Sequence, residues 1–297
     1  MDVKRIAVIG AGAMGSGIAQ VAATSGFEVA LRDVTDERLR AAVVGIEKSL
    51  GRLVKAGKLS EEEARQAMGR LSTEVEVPPC VAEADFVIEA IHEDLKLKQE
   101  LFADLHRLAP AHAVLATNTT QLSVTAIAAA TGRPERVIGM HWFNPPPVMR
   151  LIEIVMGVAT SPETLKVTEA LSHRLGKETV VCKDSQGFIT SRALSAHMME
   201  CIRIAEEGVA TKEDIDQAIR LGLNYPMGPF ELADYVGLDV LYHSSFGLVE
   251  AYGDRHRAPQ SLVKLVEAGH LGRKTGKGFY DYAAAPSDPA VGSRTKI

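Results

Sequence analysis

Over roughly its first 180 residues the chain alternates two hydropathy patterns. Short, nearly continuous apolar runs predict strands at Lys4 to Ile9, Phe27 to Leu31, Phe86 to Ala90, Val114 to Thr117, Val137 to Met140 and Thr179 to Val181. Between them, apolar residues recur at helical spacing. Ile18, Val21 and Ala22 mark one helix, and Leu39, Val43, Ile46, Leu50 and Leu53 mark a long one across Thr35 to Lys58. A third opens at the capping-box sequence Ser60-Glu61-Glu62-Glu63 and ends near Arg70. Leu95 to Leu108 is amphipathic, and Ser161-Pro162, a capping serine followed by proline at the first helical position, starts a helix to about Leu175. After Lys183-Asp184-Ser185-Gln186-Gly187 the strand signals stop. Helical patterns then cover Phe188 to Glu206, a segment capped at Thr211 that runs to Arg220, Phe230 to Gly237, and Leu238 to Tyr252. The prediction is an α/β domain over residues 1–184, an all-α domain over 185–282 and a loose, polar tail over 283–297.

Composition narrows the classes. A length of 297 residues suits two domains, and 46% apolar with 24% charged residues suits an ordinary globular chain. A formal net charge of −5 excludes non-specific nucleic-acid binding, which needs a basic surplus to neutralise phosphates, so an anionic ligand must be met by a local cluster. Cys80, Cys182 and Cys201 stand far apart with no Cys-x-x-Cys pair, which predicts reduced thiols, no disulfide framework and no metal site. No apolar stretch is long enough to cross a bilayer, and Met1 runs directly into the first strand, so the chain is expected in the cytoplasm with no membrane partner. A helical domain so small and so rich in Leu, Ala and Met is expected to complete its burial against a second copy, as a homodimer.

The first apolar run ends in Gly10-Ala11-Gly12-Ala13-Met14-Gly15 and opens a helix. In a strand-turn-helix unit Gly10 makes the tight turn, Gly12 admits a pyrophosphate close to the backbone, and Gly15 lets helix and strand pack. The helix N-terminus offers N–H groups and the positive dipole end to phosphates. Asp33, closing the second strand, is placed to accept hydrogen bonds from adenosine ribose hydroxyls and to repel a 2′-phosphate, which favours NAD over NADP; neighbouring Arg32 is the one feature that would admit NADP. Together these residues predict a Rossmann-type dinucleotide-binding domain. The segment His141-Trp142-Phe143-Asn144-Pro145-Pro146-Pro147 followed by Glu153 puts an imidazole at one strand end and a carboxylate inside the next run, joined by a proline-stiffened loop. A carboxylate bonded to one ring nitrogen leaves the other free to move a substrate proton. Asn118-Thr119-Thr120-Gln121 closes another strand, so the glycine loop, Thr120 and His141 are expected around one crevice at the carboxyl ends of a parallel sheet. Lys48, Arg52, Lys55 and Lys58 recur at helical spacing as a basic strip, either a solvated face or a phosphate contact.

The glycine loop, Ile88-Glu89-Ala90-Ile91, His141-Trp142-Phe143-Asn144-Pro145, Lys183-Asp184-Ser185-Gln186-Gly187-Phe188, Tyr225-Pro226-Met227-Gly228-Pro229-Phe230 and Lys274-Thr275-Gly276-Lys277-Gly278-Phe279-Tyr280 together resemble the 3-hydroxyacyl-CoA dehydrogenase family, over roughly residues 4 to 282. The resemblance implies an oxidoreductase that interconverts 3-hydroxyacyl-CoA and 3-oxoacyl-CoA with NAD, on short chains such as 3-hydroxybutyryl-CoA and acetoacetyl-CoA. It implies a catalytic His141 partnered by Glu153, with Thr120 and Ser191 beside them. Gly10, Gly12, Ala13, Met14, Gly15, Asp33, Glu93, Lys98, Asn144 and Lys274 match positions at the cofactor. Ser49 matches a coenzyme A contact, while the lysine that accompanies it in some members aligns with Ala56, which leaves Lys55 or Lys58 to serve. Two departures lie close to the chemistry: Thr120 stands where the family carries serine, and Ser191 where it carries asparagine. Two other readings fit the same residues: a nucleotide-binding structural or weakly active homologue of the crystallin kind, and a dehydrogenase of a free hydroxy acid.

Overall fold

The computed structural model describes residues 2–282, so the tail expected over 283–297 lies outside the described residues. Backbone contacts divide the chain into one unit that ends at Phe188 and a second that begins at Ile189. The division falls past the Asp184 boundary of the sequence reading because Phe188 packs with Val124, Val155 and Cys182 of the first unit.

The first unit contains β1 (Arg5–Ile9), α1 (Ala13–Thr24), β2 (Glu28–Arg32), α2 (Asp36–Lys55), α3 (Glu61–Gly69), β3 (Leu71–Glu74), α4 (Val77–Val81), β4 (Phe86–Glu89), α5 (Leu95–Leu108), β5 (Val114–Thr117), α6 (Val124–Ala128), β6 (Val137–Trp142), β7 (Leu151–Met156), α7 (Pro162–Arg174) and β8 (Glu178–Lys183). The strands form one sheet in the order β3-β2-β1-β4-β5-β6-β7-β8. All neighbours are parallel except β6 and β7. Alternate residues of the central strands feed two cores: Ile6, Val8, Phe86 and Ile88 on one face, Ala7, Ile9 and Val87 on the other. That two-sided burial is why these strands read as continuous apolar runs. Chain order reverses at β1, whose neighbours are β2 and β4, and this switch point is where open parallel sheets bind ligands.

Several sequence boundaries move. Strand β6 continues through His141 and Trp142, because the antiparallel partner β7 extends the ladder beyond the Met140 end expected for a lone apolar run. Helix α2 stops at Lys55 with Ala56 as its cap, so Lys58 leaves the helical strip. Edge strand β3 and short helices α4 and α6 carry too few apolar positions to show a period.

The second unit contains α8 (Thr190–Glu206), α9 (Lys212–Gly222), α10 (Pro229–Val236), α11 (Leu238–Tyr252) and α12 (Gln260–Glu267). Phe188 adopts a left-handed backbone, φ 46°, so α8 starts at Thr190 and not at Phe188. Met198, Met199, Ile202, Phe230, Leu238 and Leu262 form its core. Two buried carboxylates organise the segments around it. Asp216 accepts hydrogen bonds from Phe230 N (2.7 Å), Glu231 N (3.1 Å) and the Tyr280 hydroxyl (2.8 Å). Asp234 accepts from Phe279 N (2.8 Å), Tyr280 N (2.8 Å) and the Tyr282 hydroxyl (3.0 Å), which fixes the Lys274 to Tyr282 loop.

Candidate active site

The glycine loop is shaped by close approach. Gly10 has φ 106°, and a Cβ there would lie 2.5 Å from the Ala90 carbonyl oxygen, across the switch point between β1 and β4. A Cβ on Gly15 would fall 1.6 Å from the Gly10 oxygen, whereas one on Gly12 would face open space. Helix α1 has Gly12 at its N-cap with no side chain capping it, so its first N–H groups stay available to an anion. Asp33 is buried and ties this loop to β2, accepting from Ala11 N and Val34 N, each at 2.7 Å. Ala11, Gly12, Ala13, Ser16, Asp33, Arg38 and Gly45 line a groove of about 450 Å³. Arg32 turns away from this groove, with Nε donating to the Val75 carbonyl at 2.9 Å, so the neighbour expected to admit NADP is committed elsewhere. An open glycine, an uncapped helix end and a carboxylate at the next strand end fit a dinucleotide with free ribose hydroxyls.

At the same carboxyl edge, His141 and Glu153 are register partners across β6 and β7. His141 Nδ1 lies 2.6 Å from Glu153 Oε2; the imidazole is 5% exposed and the carboxylate 0%. Phe143 and Phe188 flank the imidazole with ring centroids 4.6 and 5.7 Å away. These rings and the small exposure of His141 place the imidazole in a largely apolar surrounding. With Nδ1 engaged by the carboxylate, Nε2 is the nitrogen left to exchange a proton.

The loop after β5 is braced by Glu93. Its Oε1 accepts from the Thr119 hydroxyl (2.5 Å), Thr120 N (2.9 Å) and Gln121 N (3.3 Å). Thr120 is exposed at the loop's tip. Behind Glu93 stands Lys98, 0% exposed, with Nζ 2.6 Å from Glu89 and 3.4 Å from Glu93. Glu89 also accepts from the Thr117 hydroxyl (2.6 Å) and Ile91 N (2.7 Å). Burial pushes the Glu89 carboxyl upward, against the pull of Lys98 and these donors. Lys98, matched by sequence to a cofactor position, is therefore enclosed behind Glu93. Asn118 Oδ1 accepts from Trp142 N at 3.1 Å and so ties the ends of β5 and β6 together. Glu89 and Asn118 fall in segments the sequence singles out, but the partners that give them their roles here come from elements adjacent only in the fold.

Elsewhere the candidate residues are distributed as follows. Ser49, half-buried, and Lys48, Arg52 and Lys55, all exposed, lie on α2, and Lys55 also borders a groove of about 420 Å³ between α2 and α3. Asn144 is exposed on the loop between β6 and β7. In the second unit Ser191 is the second residue of α8, three positions after Phe188, and Lys274 Nζ is held by both oxygens of Asp239 at 2.6 and 2.7 Å. Burial pushes the Cys80 thiol up to about 12 and those of Cys182 and Cys201 up to about 11, which argues against a thiolate nucleophile. Among the described residues no group of His, Cys, Asp and Glu could hold a metal ion, and no helix is long and apolar enough to cross a membrane.

Comparison with known proteins matches both units. Residues 5–185 match the family described as 3-hydroxyacyl-CoA dehydrogenase, NAD binding domain, and residues 187–282 match its C-terminal domain. The chain is 45% identical to a probable 3-hydroxybutyryl-CoA dehydrogenase of Bacillus subtilis, over 95% of this chain and 98% of that one. It is likewise 45% identical to the mitochondrial hydroxyacyl-coenzyme A dehydrogenase of Homo sapiens, over 94% of this chain and 91% of that one. A solved (S)-3-hydroxybutyryl-CoA dehydrogenase from Ralstonia eutropha superposes with a TM-score of 0.92 at 38% identity, covering 95% of this chain and 100% of that one.

Proposed function

The chain belongs to the 3-hydroxyacyl-CoA dehydrogenase family and is an NAD-dependent oxidoreductase; from that premise we propose that His141 and Glu153 form its catalytic dyad and that short-chain 3-hydroxyacyl-CoA and 3-oxoacyl-CoA are its substrates. The observation that carries this reading is the 2.6 Å contact between His141 Nδ1 and a fully buried Glu153. In the oxidative direction His141 Nε2 accepts the proton of the 3-hydroxyl, and Glu153 stabilises the imidazolium that results. Bound NAD supplies the acceptor for the hydride that leaves C3. In the reductive direction the imidazolium returns its proton to the 3-oxo oxygen. Thr120 and Ser191 offer hydroxyls to the substrate's polar atoms, and the shorter Ser191 reaches the thioester carbonyl less well than an asparagine would.

Gly10, Gly12, Ala13, Met14 and Gly15 hold the pyrophosphate and Asp33 the adenosine ribose. Glu93 and Asn144 lie near the cofactor, with Lys98 acting behind Glu93. Lys274 keeps one N–H beyond the two that Asp239 occupies and can offer it to the cofactor. Ser49 and Lys55 meet coenzyme A. Exposed Leu221, Leu223, Val240 and Phe246 in the helical unit support a homodimer. An initial-rate panel of 3-oxoacyl-CoA chain lengths and the matching free acids, with NADH and NADPH, tests the reading. Fastest turnover on acetoacetyl-CoA with NADH is expected. A preference for free acids, or no turnover on any thioester, would overturn it.

A further inference from the structure

Lys177, between α7 and β8, is buried at 7% exposure, and among the described residues no carboxylate lies within salt-bridge range of it. Its Nζ donates instead to two backbone carbonyls of one loop, Pro146 O at 2.6 Å and Met149 O at 2.7 Å, and lies 5.5 Å from the centre of the Trp142 ring. Placing an unpaired ammonium in a protein interior is costly, and the burial pushes its titration downward. A neutral side chain would fill the same space at lower cost, so the site gains something specific from a long cationic donor.

What the ammonium holds is the loop from Phe143 to Arg150 that joins β6 to β7. The loop also rests on α1, where a Cβ on Gly17 would lie 2.8 Å from Pro146 Cδ. Next to the clamp, Glu178 N bonds to Arg150 O at 2.9 Å. The loop thus touches both the helix that opens at the dinucleotide turn and the residues that start β8. His141 and Glu153 do not need this clamp, because the antiparallel ladder of β6 and β7 already sets their register. Asn144 does: it lies two residues before Pro146, in the loop between the two strands, where the ladder does not reach.

We infer that Lys177 is a positioning residue for the cofactor, seating the 143–150 loop on α1 and so fixing Asn144 beside the dinucleotide. The inference rests on the NAD site and the Asn144 role described under Proposed function. It separates two properties of one loop: the dyad's proton transfer is independent of Lys177, and the affinity for NADH depends on it.

The test compares wild type, Lys177→Met and Lys177→Gln for NADH affinity, by fluorescence titration, and for steady-state kinetics with acetoacetyl-CoA. Methionine keeps most of the stem and loses every donor. Glutamine keeps a polar head in the buried site, which favours folding, but is one bond shorter and cannot reach both carbonyls. Either folded variant should show Kd and KM for NADH raised about tenfold, kcat within about threefold of wild type, and the pH midpoints of kcat unmoved. A purely structural lysine would lower the melting temperature and leave the NADH constants of the folded fraction alone. NADH constants within about twofold of wild type in a folded variant would overturn the inference, as would a loss confined to kcat. Failure of the underlying NAD reading shows separately, as wild type that does not bind NADH.

Discussion

His141 and Glu153 face each other as register partners in the antiparallel β6–β7 ladder, with Nδ1 and Oε2 2.6 Å apart. Main-chain pairing, not loop conformation, therefore brings the two side chains together. The carboxylate is completely buried and the imidazole nearly so, which makes their hydrogen bond strong and its loss expensive.

Glu153→Gln keeps the shape of the side chain and removes the charge that stabilises imidazolium. The expected result is a kcat lower by about 10²–10⁴, with the KM for NADH unchanged, measured by initial rates. A variant within about threefold of wild type would remove Glu153 from the mechanism.

At Ser191 the outcome should run the other way. An oriented donor to a developing oxyanion is worth about 2.7–4 kcal/mol, and a serine hydroxyl with a bridging water retains a part of that. Ser191→Asn is expected to raise kcat on acetoacetyl-CoA by about tenfold. An unchanged or lower kcat in the folded variant would contradict the role given to this position.

Lys98 and Glu89 make a stability prediction. Lys98→Met leaves Glu89 as an uncompensated carboxylate in a fully buried position, which costs about 3–5 kcal/mol in denaturant unfolding. Adding Glu89→Leu should recover most of that loss, since the pair itself contributes little beyond mutual compensation. A single Lys98 variant as stable as wild type would show that the pair is not closed as described.

The sequence made some parts of this molecule legible and left others hidden, for physical reasons. The buried parallel strands announced themselves because both their faces are apolar, and the glycine loop because Gly10 and Gly15 answer to backbone atoms that approach too closely for a Cβ. The histidine and its carboxylate could be named as candidates, but their opposition required the antiparallel turn of β7, which neither apolar run reveals alone. Lys98 matches a cofactor position by the family resemblance alone; its enclosure beside Glu89 depends on two elements, β4 and α5, packing together. Arg32 read as an opening for NADP because it adjoins Asp33 in sequence, while its guanidinium is bound to Val75 across the β2–β3 edge. Lys177 gave no signal at all, since a lone lysine before a strand has the look of an ordinary surface residue.

The central claim is that His141 moves the substrate proton while the rest of the site binds. Steady-state turnover of acetoacetyl-CoA by His141→Ala, with NADH affinity measured on the same sample, tests it most directly. The account predicts kcat lower by at least about 10³ with the NADH Kd within about twofold of wild type. Turnover within about tenfold of wild type in a variant that binds NADH normally would contradict it.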